Sequence, residues 1–326
     1  MRLTVLGAGA WGTALAKLLR EGGHSVTLWA HEAECLDEIH RTGRNTLFLP
    51  DIDLPRDFRC EANPQQAVAD SELVVVAAPS RHVRAVTACL AEFSGVAVTV
   101  TKGIEFDTGL TMTGVLGQTA PGAHLAALSG PTLALEVARG VPTAIVAASH
   151  HAETAAQVQA LFHRPALRVY RSNDLVGVEL GGALKNVIAL AAGVCDGLGF
   201  GDNSKAALIP RGIAEMRRLG VACGAQAETF SGLSGVGDLI VTCFSKLSRN
   251  RGFGERLGRG EKAADIQRGM INVAEGVPTA RSAVQLAHKL GVSTPIIEEV
   301  HAMLYDGKDA RQALRDLIAR ELKAED

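Results

Sequence analysis

Aromatic residues are scarce: two tryptophans, two tyrosines and nine phenylalanines make up 4% of the 326 residues. No basic run and no aromatic-plus-basic cluster occurs, and the formal charge is −2. That balance offers nothing to nucleic acid or to an anionic membrane surface. The six cysteines, at positions 35, 60, 89, 195, 223 and 243, form no C-x-x-C pair and show no His/Cys spacing for zinc. They read as reduced structural thiols, which fits a cytoplasmic protein, and no metal is expected. The start, Met1-Arg-Leu-Thr-Val-Leu-Gly7, runs into glycines without a cleavage-site pattern. No apolar run is expected to approach the roughly 18 residues of a membrane span.

What is present is an ordinary globular composition, 47% hydrophobic and 21% charged, in a chain long enough for two cores. A short apolar strand, Leu3-Thr-Val-Leu6, enters Gly7-Ala-Gly-Ala-Trp-Gly12, and a helix follows until Gly22-Gly23. This is G-x-G-x-x-G in the strand–turn–helix context it requires. The first glycine permits the tight turn, the second lets backbone approach a pyrophosphate, and the third lets helix pack on strand. A second strand, Ser25-Val-Thr-Leu-Trp-Ala30, ends at His31-Glu32 rather than at the acidic residue usual for NAD. An imidazole tolerates a 2′-phosphate better than a carboxylate does, so NADP is favoured, while Glu32 keeps NAD open.

Asn63-Pro-Gln-Gln66 reads as a helix start. Strands are expected at 73–78, 96–100, 125–128, 143–147 and 167–170, with helices at 83–91 and 152–161 between them. Lys102 follows the strand at 96–100, where open α/β sheets bind ligands, though a solvated loop lysine would read the same. Ser129-Gly-Pro-Thr132 leads into a further helix N-terminus, a natural cradle for an anion. Strand signals stop after Tyr170, and Asn173-Asp174 should cap a long helix. The expected architecture is an N-terminal Rossmann-type doubly wound sheet (1–173) followed by an all-α C-terminal domain (174–326).

That long helix, Val178 to Val194, is apolar or small at almost every position, so it should be buried nearly all round. It nevertheless holds Glu179, Lys185 and Asn186. A lysine there is costly unless it is paired or borders a wet cavity, and a lysine whose pKa shifts on burial suits proton transfer. The plain alternative is a lysine snorkelling from one end of the buried face. Further helices are expected at 205–219, 281–290, 295–305 and 309–322, the last with Leu314, Leu317, Ile318 and Leu322 on one face. Between them, Ser231-Gly-Leu-Ser-Gly-Val-Gly-Asp238 places an aspartate that could simply cap a helix. Ser248-Arg-Asn-Arg251 is a basic turn, either a phosphate grip or a solvated surface.

Together these segments resemble the bacterial glycerol-3-phosphate dehydrogenases that use NAD(P). The matching stretches are Gly7-Ala-Gly-Ala-Trp-Gly-Thr-Ala14, Thr101-Lys-Gly-Ile-Glu105, Leu128-Ser-Gly-Pro-Thr-Leu-Ala-Leu-Glu136 and Glu179-Leu-Gly-Gly-Ala-Leu-Lys-Asn186. Asp196-Gly-Leu-Gly-Phe-Gly-Asp-Asn203, Leu233-Ser-Gly-Val-Gly-Asp-Leu239, Thr242-Cys-Phe-Ser245, Ser248-Arg-Asn-Arg251 and Val273-Ala-Glu-Gly276 complete the set, in family order. Ala10 and Thr132 are mild departures, standing where serine is frequent.

The resemblance implies reversible reduction of dihydroxyacetone phosphate to sn-glycerol 3-phosphate, which supplies the glycerophospholipid backbone. It implies Lys185 as proton donor and acceptor, Asp238 beside it, and Lys102, Asn186 and Thr242 around the reacting end of the substrate. Ser248, Arg249 and Asn250 would receive the phosphate, and Gly130 and Thr132 would also touch substrate. Gly7, Gly9, Ala10, Trp11, Gly12, His31, Lys102, Ala134, Arg249, Val273 and Glu275 would line the NADP or NAD. Two other readings are a dehydrogenase of the same architecture acting on 3-hydroxy acids or 6-phosphogluconate, and a non-catalytic NADP sensor. The 248–250 turn and the Asp238 segment argue against the first, and the joint presence of Lys185, Asn186 and Asp238 against the second. The apolar helical half would suit a homodimer without specifying one.

Overall fold

The structure, a computed structural model, describes residues 1–55 and 57–321. Eight strands form one sheet: β1 (Arg2–Leu6), β2 (Ser25–Trp29), β3 (Arg59–Glu61), β4 (Leu73–Val76), β5 (Val96–Thr99), β6 (His124–Ser129), β7 (Thr143–Ala148) and β8 (Leu167–Ser172). Their order is β3-β2-β1-β4-β5-β6-β7-β8, parallel except where β7 meets β6. The order in which strands are added therefore reverses between β1 and β4, which run parallel, and a ligand crevice opens at such a switch point. Every residue of β4 and β5 is buried, as a sheet covered on both faces requires.

Register decides which loops meet. Leu6 pairs with Trp29 and with Val76, Val76 pairs with Thr99, and Thr99 pairs with Ala127. The chain leaves this row through Gly7, Ala30, Ala77, Val100 and Leu128. The loops that carry Gly7, His31, Ser80, Lys102 and Gly130 thus start from one edge of the sheet.

Asp174 accepts a hydrogen bond from the Gly177 backbone N–H at 2.9 Å and so caps the central helix, Leu175–Gly197. That helix is buried almost throughout, including Glu179, Lys185 and Asn186. Around it pack Asp202–Ala222, Asp238–Phe244, Arg249–Gly258, Gly276–Leu290 and Pro295–Tyr305. It is 23 residues long, with an 18-residue window of mean hydropathy 1.5, and so does reach membrane-span length and composition, contrary to the sequence expectation. The most apolar window is 94% buried inside the protein, so its partners are helices, which demand the same all-round apolarity that lipid would.

Closest to it lies Arg249–Gly258. A Cβ on Gly193 would stand 2.0 Å from the Arg251 carbonyl, and one on Gly254 2.0 Å from the Leu190 carbonyl. Gly197 and Gly258, one turn further on, meet the same way, so the two backbones touch over two turns. Glu179 ties the helix to the sheet half: its carboxylate accepts from the Thr113 backbone N–H at 2.8 Å and from the Thr113 hydroxyl. Burial pushes the Glu179 carboxyl up, against those donors.

Several elements differ from expectation. The 83–91 helix is a short helix, Val83–Thr87, flanked by tighter turns at Ser80–His82 and Ala88–Leu90. The helix expected at 205–219 runs from Asp202 to Ala222, with Pro210 inside it. The one expected at 281–290 begins at Gly276. The short edge strand β3 and helices Ala33–Thr42 and Met112–Thr119 were not anticipated. In the last helix, Ala310–Ile318, Leu314 and Leu317 are half-buried and Ile318 is exposed, while Leu322 lies outside the described residues.

Candidate active site

Gly7 has φ +125°, a conformation L side chains rarely adopt, and a Cβ there would stand 2.8 Å from the Ala77 carbonyl carbon. A Cβ on Gly12 would collide with the Gly7 carbonyl at 1.9 Å, so the helix can sit on the turn only without one. Gly9 is different: nothing lies within 4 Å of its would-be Cβ. It caps helix Ala10–Glu21 without a side chain, and the first turn holds no acidic residue. Bare N–H groups at a helix N-terminus facing open space fit a pyrophosphate. Trp11, in that first turn, keeps its buried Nε1 without a hydrogen-bond partner among the described residues. Trp11 and Ala134 pack against the same core cluster. These residues fit a dinucleotide.

Across the crevice, Asp238 binds two lysines. Its Oδ1 lies 2.9 Å from Lys185 Nζ and its Oδ2 2.6 Å from Lys102 Nζ. Asp238 opens helix Asp238–Phe244, but its carboxylate serves the lysines rather than capping that helix. A wide turn with the Gly237 N–H bonded to the Gly232 carbonyl at 3.1 Å delivers it there. Lys185 Nζ also donates to Thr242 Oγ1 at 2.6 Å, and Thr242 Oγ1 in turn donates to the Asp238 carbonyl at 2.6 Å. Lys102 Nζ donates to the Gly130 carbonyl at 2.8 Å and to Thr132 Oγ1 at 2.9 Å. The lysine on the sheet half and the lysine on the helical half thus share one buried carboxylate.

Burial lowers the pKa of Lys102 to about 8; Asp238 opposes that shift, and the charges of Lys185 and Arg249 add to it. The central helix comes close enough for this because position 182 has no side chain: a Cβ there would meet Ser129 Oγ at 2.6 Å and Lys102 Cγ at 3.3 Å.

Asn186 Oδ1 accepts from Asn250 Nδ2 at 2.8 Å, and Asn250 Oδ1 accepts from the Gly276 N–H at 2.9 Å. Asn250 therefore links the central helix to the loop that carries Glu275. Ser248 Oγ accepts from the Arg251 N–H at 3.2 Å as the cap of its helix, which leaves the hydroxyl proton to give. Arg249 reaches solvent while its surroundings draw its pKa down through desolvation, as happens to a residue lining a cleft, and Glu275 offsets this. Glu275 takes the Ser80 N–H at 3.0 Å and the Ser80 hydroxyl at 2.5 Å, bridging the two halves. His31 is exposed at the end of β2, and Val273 is half-buried.

Of the expected site residues, the structure joins Lys102, Gly130, Thr132, Lys185, Thr242 and Asp238 in one bonded cluster, with Asn186–Asn250 as a second link. Sequence reading missed Ser80, whose signal would have been a serine just past a buried strand. It also missed the glycine-lined helix crossing, whose signal was Gly193/Gly197 facing Gly254/Gly258 at helical spacing.

Residues 2–155 match the N-terminal model of NAD-dependent glycerol-3-phosphate dehydrogenase, and residues 174–315 match its C-terminal model. The chain is 51% identical to the glycerol-3-phosphate dehydrogenase (NAD(P)+) of Syntrophotalea carbinolica, over 100% of this chain and 99% of that one. It is also 51% identical to that of Geobacter metallireducens, over 99% and 98%. The crystal structure of glycerol-3-phosphate dehydrogenase from Coxiella burnetii superposes with a TM-score of 0.94 at 34% identity, covering 98% of this chain and 99% of that one. A ketopantoate reductase from Ralstonia eutropha, at 16% identity and a TM-score of 0.61, shares the fold alone. With the matched models spanning most of its length, the chain belongs to the NAD-dependent glycerol-3-phosphate dehydrogenase family.

Proposed function

We propose that the protein reduces dihydroxyacetone phosphate to sn-glycerol 3-phosphate with NAD(P)H, reversibly, and so supplies the backbone of glycerophospholipids. The observation that carries the mechanism is the Asp238 carboxylate held between Lys102 and Lys185. When bound, the reduced nicotinamide supplies a hydride to C2 of the substrate. Negative charge then develops on the carbonyl oxygen, where protonated Lys185 stabilises it and delivers the proton. Asp238 and Thr242 fix the direction of the Lys185 ammonium, so it meets the oxygen with little reorganisation. In the oxidative direction neutral Lys185 takes the C2 hydroxyl proton. Lys102, held by Gly130 and Thr132, lies on the other side of the same carboxylate, where Asn186 completes the surround of the reacting end.

The phosphate end belongs to the 248–250 turn. Ser248 keeps a hydroxyl proton, Arg249 brings a planar cation, and the Arg249 and Asn250 N–H groups open a ten-residue helix. The dinucleotide lies along Gly7, Gly9, Ala10, Trp11 and Gly12, with His31, Lys102, Ala134, Arg249, Val273 and Glu275 around it. NADPH is favoured over NADH because the end of β2 carries His31, which tolerates a 2′-phosphate better than the usual carboxylate would. The chain divides into a dinucleotide-binding domain (1–173) and a helical substrate domain (174–326) of a cytoplasmic enzyme, and the apolar helical half would suit a homodimer.

The deciding assay follows loss of reduced nicotinamide absorbance with dihydroxyacetone phosphate, in parallel with NADPH and NADH. Turnover with NADPH well above NADH is the expected result. Equal rates remove the argument from His31, and no turnover with either rejects the substrate. Lys185→Ala should lower kcat by about 10² to 10⁴; near-normal turnover in that variant rejects Lys185 as the proton donor.

A further inference from the structure

Behind the phosphate turn lies a second charged cluster that no step of the reaction uses. Asp196 closes the central helix, largely buried, with Oδ1 2.8 Å from Lys205 Nζ and Oδ2 2.7 Å from Arg251 Nε. The Arg251 contact is an ion pair rather than an aligned hydrogen bond. Arg251 continues to Glu255 at 3.3 Å, and Glu255 is also paired with Arg259. Lys205 has a second partner in the ring of Phe244, 5.0 Å from its centroid, on the helix that begins with Asp238. Asp196 therefore joins the end of the central helix to Arg249–Gly258 directly, and through Lys205 to the Asp238–Phe244 helix.

Arg251 is held at both ends: its guanidinium by Asp196 and its backbone N–H by Ser248 Oγ. Arg249 and Asn250 lie between these anchors. Glycines bring the two helices into backbone contact, so at the crossing points no side chain stands between them, and the register rests on contacts beside the crossing: Phe253 in the core, the Asn250–Asn186 hydrogen bond and the Asp196–Arg251 ion pair. A buried ion pair is a directional contact able to set such a register, the role in which buried charges are best attested.

We infer that Asp196 is a positioning residue for substrate phosphate: through Arg251 it sets the register of the 248–251 turn on the central helix. It thereby fixes the separation between Arg249 and Lys185, that is, between the phosphate grip and the proton donor. The inference rests on the reading of the 248–250 turn as the phosphate end.

The test uses the full chain and initial rates with dihydroxyacetone phosphate and reduced cofactor, with inorganic phosphate as a competitive probe of the turn. Asp196→Asn keeps shape and removes charge. Its KM for dihydroxyacetone phosphate should rise roughly tenfold or more, because small misplacements of a binding group weaken everything it orients. Inhibition by inorganic phosphate should weaken by the same factor, while KM for the cofactor stays within about threefold of the unmutated value. Asp196→Glu should recover part of the loss. Should Asp196→Asn fail to fold, Arg251→Lys, which keeps the charge but not the reach of the guanidinium, should give the same split. An unchanged KM and phosphate inhibition overturn the inference, as does a uniform fall in all parameters that tracks a lower melting temperature. Absence of turnover in the unmutated protein instead overturns the reading of the reaction itself.

Discussion

Asp238 is almost completely buried, and a lone carboxylate there would be far too costly; the two ammonium groups make the site tenable. Lys102 contributes the pH dependence. Its pKa is 10.5 in the open chain and about 8 in the fold, mainly through burial. Between those values the unfolded chain holds a proton that the folded one has lost, so stability rises with pH across that window. The cost of charging Lys102 is fully present below about 8. If its charge is needed for turnover, kcat/KM should fall on a basic limb near that pH. Lys102→Arg should move the limb upward, because a guanidinium does not titrate there; a limb left in place in a pH–rate profile assigns it to another group. Arg249→Ala should chiefly raise KM for dihydroxyacetone phosphate, about tenfold or more for a lost charge-assisted contact, with kcat far less affected.

At the scale of elements, the crossing of the central helix with Arg249–Gly258 is the least forgiving part of the fold. Gly254→Ala places a methyl 2.0 Å from the Leu190 carbonyl, and backbone cannot swing aside as a long side chain can. Overpacking of this kind costs about 1–3 kcal/mol or more. Urea denaturation should show that loss, together with a raised KM, because the same shift moves the phosphate turn. Unchanged stability would mean that the helices separate more easily than their packing suggests. Gly252 is the control: on the same helix, it has nothing within 4 Å of its would-be Cβ, so Gly252→Ala should be tolerated.

For the whole molecule, the contacts that cross from the sheet half to the helical half near the site include Lys102 to Asp238, Glu275 to the Ser80 N–H and hydroxyl, and Glu179 to the Thr113 N–H and hydroxyl. A cofactor bound between Gly9 and Glu275 would add contacts to both halves and none to the unfolded chain. Thermal melting should therefore move upward with cofactor, by the equivalent of about 2.7 kcal/mol at a hundredfold excess over Kd. The larger shift should come from NADPH; a larger one from NADH would reverse the preference drawn from His31. Trp11, in the turn proposed for the pyrophosphate, should lose fluorescence in the same titration.

Local sequence pattern alone determined the sheet half with its glycine turn, and the central helix with its buried lysine. Each is a local matter: Gly7, Gly9 and Gly12 sit in six residues, and an apolar run with one lysine is read without knowing its neighbours. The cap at Asp174 was legible for the same reason. Asp238 was not, because helix capping and ion pairing look alike until Lys102, 136 positions earlier, and Lys185 arrive at its two oxygens. Only the tertiary structure decided that one carboxylate serves both lysines, that Asn250 spends its amide on Asn186 and Gly276, and that Ser248 caps a helix. β3 and helix Met112–Thr119 were missed because short elements carry too little periodicity and take their stability from what they pack against. The sequence specifies which groups are costly to bury, and the fold decides which partner offsets that cost.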